Sequence, residues 1–154
     1  MSLAVYAPLA GRIMALGKVP DPVFAGQMVG SGLAIDPTPA TARVQALAPV
    51  RGTLVKLHPH AFVITTPAGT GVLVHLGIDT VRLGGDGFTS HVSEGDQVQV
   101  GQQVITFDPS AVQTHGLSAV CPVVVLDSAP GSAQAPALTG DVPAGALLFS
   151  WTAS

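Results

Sequence analysis

Two histidines lead or close strongly apolar runs: His60 in "LHPHAFVI" and His75 in "GVLVHLGIDT". An unperturbed imidazole titrates near pH ~6.5, so either ring can act as nucleophile, proton acceptor or hydrogen-bond donor near neutrality. Asp79 follows His75 by four residues, past a glycine-induced turn, and could orient a ring through its N–H. His58 lies two residues before His60, which points it the same way on a strand, although the intervening Pro59 fits a loop equally well. His91 and His115 read as solvated surface residues. Cys121 is the single cysteine, so neither a disulfide framework nor a thiolate metal site is available, and it reads as a small buried hydrophobe.

For His60 and His75 to cooperate, the segment between them must bring them together. Thr66-Pro67-Ala68-Gly69 carries the proline and glycine preferences of a type I turn. If Thr66 pairs with Gly69, then Ile64 falls opposite Gly71, Phe62 opposite Leu73 and His60 opposite His75. Directly opposed residues on one face place their Cβ atoms about 4.5–5.5 Å apart. A glycine bulge at the turn would slip this register by one and send the rings to opposite faces.

The rest of the chain supplies many comparable strands. "LAVYA", "GRIMAL", "GLAID", "RVQAL", "GTLVKL", "FVITT", "QVQV", "QVITF", "PVVVL" and "ALLFSW" alternate or run apolar with β-branched residues, and turn-forming clusters separate them. "DPSAVQTHG", with Asp108 as N-cap and Pro109 at the first helical position, predicts one or two helical turns, and "DPVFAGQMV" a second short helix. Two echoes stand out. "APLAGRI" from Ala7 returns as "APVRGTL" from Ala48, and "VQVGQQVITF" from Val98 returns loosely as "VPAGALLF" from Val142. These features predict an all-β fold, a sandwich or partly closed barrel with duplicated hairpin elements and one or two short helical turns. No linker or composition shift divides residues 1–154, so one domain is expected.

Composition narrows the functional classes. At 47% hydrophobic and 10% charged, the chain is globular rather than disordered. A net charge of -3 with only six basic residues provides no cluster to neutralise phosphates, which argues against nucleic acid as a partner. Nothing resembles a signal peptide or a membrane span, so a cytoplasmic protein without direct membrane insertion is expected.

The motifs "VPDPVFAGQMVGSGLAIDP", "VRGTLVKLHPHAFVI", "VLVHLGIDTVRLGGDGF" and "VSEGDQVQVGQQVITFD" resemble the glucose-type IIA component of the bacterial phosphoenolpyruvate-dependent sugar phosphotransferase system, over nearly the whole chain. The resemblance implies an antiparallel β-sandwich with duplicated elements. It implies that His75 carries a phosphoryl group and that His60, beside it, stabilises the phosphate. It implies HPr as donor and, as acceptor, the IIB domain of a membrane sugar permease. Such transfer works by positioning and electrostatics around a neutral nitrogen nucleophile and requires neither metal nor cofactor. Members carry a threonine two residues before the second histidine; here that position is His58.

A carrier that meets several partners at one site needs a shallow apolar rim, and Phe24, Val23, Met28 and Leu57 are the candidates. An alternative is a zinc-dependent hydrolase using His58, His60, His75 and Asp79, whose spacings mimic the ligand pairs of lysostaphin-type peptidases in reversed order. Incidental zinc binding by His60 and His75 is compatible with either reading. The "VSEGDQVQVGQQVITF" stretch is similar to biotinyl and lipoyl domains, but neither Lys18 nor Lys56 sits at the required hairpin tip.

Overall fold

The structure is a computed structural model and describes residues 2–40 and 42–153. Along the chain run β1 (Ser2–Tyr6), β2 (Gly11–Ala15), α1 (Pro22–Ala25), β3 (Gly30–Asp36), β4 (Val44–Leu47), β5 (Gly52–His58), β6 (Ala61–Thr65) and β7 (Gly71–His75). They are followed by β8 (Phe88–Ser90), β9 (Gln97–Val98), β10 (Gln103–Phe107), α2 (Pro109–Thr114), β11 (Cys121–Leu126), β12 (Ala133–Gln134), β13 (Asp141–Val142) and β14 (Leu147–Thr152). Single 3₁₀ turns occupy Leu16–Lys18 and Thr80–Leu83. Both short helices begin as their sequences predict. Asp21 and Asp108 accept hydrogen bonds from the first-turn N–H groups, and a proline follows each cap.

All strand pairings among the described residues are antiparallel. An eight-stranded sheet runs in the order β13-β2-β3-β11-β7-β6-β5-β9, joined by two three-stranded sheets, β1-β14-β12 and β4-β10-β8. The main core lies between them. Phe62, Ile64, Val72, Val74, Val123 and Val125 from the large sheet meet Val5, Ala46, Ile105, Phe107, Leu148 and Phe149 from the small ones. The period of two explains this sorting, because alternate residues of β6, β7 and β11 face inward. β11 is buried on its other face as well. There Val124 joins Leu16, Val19, Phe24, Ala34, Ile78 and Val120 in a smaller outer cluster beneath the α1 segment.

The two sequence echoes are an internal two-fold relation. The Tyr6 N–H donates to the Pro49 carbonyl at 3.0 Å, and the Leu47 N–H donates to the Pro8 carbonyl at 2.8 Å, a reciprocal exchange between the repeated Ala-Pro elements. Gly145 N–H reaches Ala7 O just as Gly101 N–H reaches Ala48 O. Val142 pairs with Gly11, and Val98 pairs with Gly52. At both repeats a neighbouring carbonyl lies where a side chain would start. A Cβ on Gly11 would come within 2.4 Å of Asp36 O, and one on Gly52 within 2.1 Å of Thr65 O. The repeated glycine is therefore a condition for the strands to approach.

The β6–β7 hairpin departs from the predicted register. The Thr66–Gly69 turn forms, with Gly69 N–H donating to Thr66 O at 2.8 Å, but Gly69 takes φ +90° and adds one residue to the loop. Thr66 N–H then bonds Thr70 O, and the ladder continues as Ile64↔Val72, Phe62↔Val74 and Ala61↔His75. The predicted opposition of His60 with His75 along the ladder is thus off by one. The cause is a glycine bulge after a type I turn, a common three-residue hairpin loop.

Candidate functional site

His75 is the last residue of β7, and its side chain takes the outer face of the large sheet, opposite Val74. The chain turns sharply after it, through Gly77 at φ +81°. A Cβ there would lie 2.6 Å from Thr80 Cγ2 and 3.0 Å from Ser118 O, so glycine is needed on both conformational and steric grounds. The turn is pinned from both sides: Ile78 N–H donates to Ser118 O at 2.9 Å, and the buried Thr80 hydroxyl donates to Leu76 O at 2.8 Å. Its product is a carbonyl aimed at the imidazole, with His75 Nδ1 2.5 Å from Gly77 O. A carbonyl only accepts, so Nδ1 carries the proton and Nε2 of the neutral ring keeps its lone pair.

His60 reaches the same place by a different route. β5 and β6 are joined by the two-residue turn Pro59-His60, closed by the His58↔Ala61 pair. His60 is therefore outside the ladder, and its ring is released from strand alternation. Its main chain is held by Leu76 N–H, which donates to His60 O at 2.7 Å. The His60 and His75 ring centroids are 5.1 Å apart in an edge arrangement, although the slipped register would have separated two strand residues. His58 stacks on the other side of His60, with centroids 5.7 Å apart and planes 24° from parallel.

Burial lowers the proton affinity of both central rings. His60 is depressed to about 4 by desolvation, reinforced by repulsion from His75 and His58. Burial also lowers His75, against the opposing pull of the Gly77 carbonyl and the carboxylates of Asp21 and Asp79. The pair is consequently neutral near pH 7, the state a nitrogen nucleophile needs. Cys121 is fully buried behind the turn. Burial pushes its thiol up to about 12, against a hydrogen bond from the Gly77 backbone.

The other sequence candidates divide. Asp79 adopts a left-handed conformation at φ 59° and acts on His75 through its charge; the ring N–H that was expected to donate to it donates to Gly77 O instead. Phe24 is not an exposed rim residue. It is 8% exposed, belongs to the outer cluster and lies edge-on to His75 at 5.4 Å. Leu57 likewise turns toward the main core. Val23 and Met28 are exposed, at 46% and 76%. Val81, 66% exposed just beyond the turn, is an apolar surface residue that the sequence reading passed over, and its position directly after "GIDT" was the available signal. The zinc-hydrolase alternative is not supported. Among the described residues, no group of three or more His, Cys, Asp and Glu side chains is placed to hold a metal ion. His75 Nδ1 is engaged by Gly77 O, and Asp79 belongs to the turn beyond it.

Residues 3–130 match the family described as "phosphoenolpyruvate-dependent sugar phosphotransferase system, EIIA 1". A "PTS system glucose-specific EIIA component" of Halalkalibacterium halodurans is 46% identical over 123 residues, covering 79% of this chain and 69% of that protein. A component of the same description from Bacillus cereus is 40% identical over 126 residues, covering 80% of this chain and 74% of its own length. The solved structure "glucose permease IIA from Mycoplasma capricolum" superposes with a TM-score of 0.84 at 34% identity, covering 97% of this chain and 96% of that one. No helix among the described residues is long and apolar enough to cross a membrane. The chain belongs to the EIIA 1 family of the phosphoenolpyruvate-dependent sugar phosphotransferase system and is a phosphoryl-carrying component of it.

Proposed function

We propose that His75 Nε2 is the atom that carries the phosphoryl group, received from phospho-HPr and passed to a IIB domain on the cytoplasmic side of a sugar permease. The observation that carries this reading is the Nδ1 hydrogen bond to Gly77 O, which leaves Nε2 as the free lone pair. In acceptance, Nε2 attacks phosphorus in line as the donor's P–N bond breaks, and the Nδ1 proton stays shared with the carbonyl. The positive charge that develops on the ring is favoured by that carbonyl and by Asp21 and Asp79. His60 presents a ring N–H to a phosphoryl oxygen, a contact that strengthens as negative charge arrives beside it. The second transfer runs in the opposite sense, with His75 as leaving group. Val23, Met28 and Val81 form the apolar surface against which both partners dock.

The test is incubation with phosphoenolpyruvate, Enzyme I and HPr, followed by intact mass measurement and an acid-lability assay. The wild-type chain gains one acid-labile phosphoryl group and His75→Gln gains none. His60→Gln accepts phosphate, because the nucleophile is intact, but transfers it onward more slowly. Equal acceptance by the two variants would remove the assignment of roles.

A further inference from the structure

The His75 ring is anchored by the Gly77 carbonyl and the edge of Phe24. The His60 ring has no such anchor: among the described residues, neither of its nitrogens makes a hydrogen bond within the chain. Among the described residues, two rings lie against it: His75, which must meet partners, and His58. Strand register explains how His58 comes to be there. His58 pairs with Ala61, and Ala61 pairs with His75, so the three form a row across β5, β6 and β7. The small methyl group of Ala61 stands between two imidazoles, and the His60 ring, folded back from the Pro59-His60 turn, contacts both. It stacks on His58 and meets His75 edge-on.

We propose that His58 is a positioning residue for phosphoryl transfer, a flat platform that holds the otherwise unanchored His60 ring in contact with His75. This rests on the reading of His75 as phosphoryl acceptor with His60 as its supporting group. Stacking fixes the plane of a ring without occupying its nitrogens, so both His60 nitrogens stay free to donate or accept as the phosphoryl group comes and goes. A hydrogen-bonding residue at position 58 would hold the ring by occupying one of them. The repulsion that His58 exerts on protonation of His60 agrees with this proximity.

The experiment compares the full-length wild type with His58→Ala, His58→Phe, His60→Gln and the His58→Ala/His60→Gln pair. Nuclear Overhauser contacts between the His60 and His75 rings are read in the unphosphorylated protein. Rapid-quench transfer of phosphate onward from His75 is read separately. His58→Ala should lose the ring contact and slow onward transfer about tenfold with little change in partner KM, the signature of lost positioning. His58→Phe keeps a flat ring and should retain both the contact and a rate within about threefold of wild type. The double variant should be no slower than His60→Gln alone, because His58 acts through His60. Persistence of the ring contact in His58→Ala, a His58→Phe protein as slow as His58→Ala, or additive losses in the double variant would each overturn the proposal. The ring contact is measured without phosphoryl transfer, so a wild type that takes no phosphate would refute the functional reading and leave the platform to be judged by the contact alone. Since His58 is exposed, the variants should fold, and thermal unfolding verifies it.

Discussion

At the scale of single residues, the site is built by withholding protons from two imidazoles, and this leaves a trace in stability. Burial, with repulsion from His75 and His58, pushes His60 from an ordinary 6.5 down to about 4 in the folded protein. As pH falls, the unfolded chain binds that proton first, so the contribution is complete above pH 6.5 and is lost between 6.5 and about 4. His75, lowered by burial, acts with the same sign. The melting temperature should therefore fall through this window, and His60→Gln should flatten the fall, measured by calorimetry from pH 7.5 to 3.5. An unchanged slope would show that His60 is not held neutral by the fold. Both histidines were legible in the sequence because an imidazole at the border of an apolar run demands a reason. The Gly77 carbonyl was not legible, since every residue has one and only the turn decides which is aimed at a ring.

At the scale of elements, structure is legible where local chemistry is self-contained and not where one residue of loop geometry decides the outcome. The Asp-Pro starts of α1 and α2 and the alternation of β6 and β7 follow from their own residues. The β6–β7 register turned on the conformation of Gly69, and the meeting of the histidines was rescued by an independent feature, the Pro59-His60 turn. The same limit explains Phe24. A large ring between proline and glycine reads equally well as rim or as lid, and burial depends on the outer face of β11, which the α1 sequence does not reveal. Phe24→Ser should accordingly cost about 3 kcal/mol of stability, in the range of large-to-small core changes. Met28→Ser, on the exposed side of the same segment, should lie within about 0.5 kcal/mol of wild type. Urea unfolding compares the two directly, and equal midpoints would place Phe24 outside the core.

At the scale of the whole molecule, the two-fold relation of the Ala-Pro elements is visible in the sequence as a repeated phrase, while its hydrogen-bond partners are not. The reciprocal Tyr6–Pro49 and Leu47–Pro8 bonds lock two copies of one supersecondary unit together. The two histidines sit on only one of them. The β2–β3 corner, which occupies the place of the β5–β6 turn in the other copy, carries no histidines. The histidines thus come from one unit, while the β2–β3 connection of the other supplies Asp21 and Phe24 beside the His75 ring. Weak segments such as β8, β12 and β13, only two or three residues long, escaped the reading because their pairing is tertiary rather than local.

The buried thiol behind the Gly77 turn makes the molecule its own clock for breathing motions. Burial pushes the thiol up to about 12, so Cys121 is held as the unreactive thiol near neutrality, and it is enclosed. Alkylation therefore waits for β11 to part from its neighbours at the end of the sheet where His75 sits. Labelling by iodoacetamide, followed by mass spectrometry, should be at least about a thousandfold slower in native buffer than in denaturant. Comparable rates would mean that this end of the sheet opens freely. A docked partner that clamps the turn should slow the label further, so the occupancy of the phosphoryl site can be timed from the opposite side of the sheet, without touching a histidine.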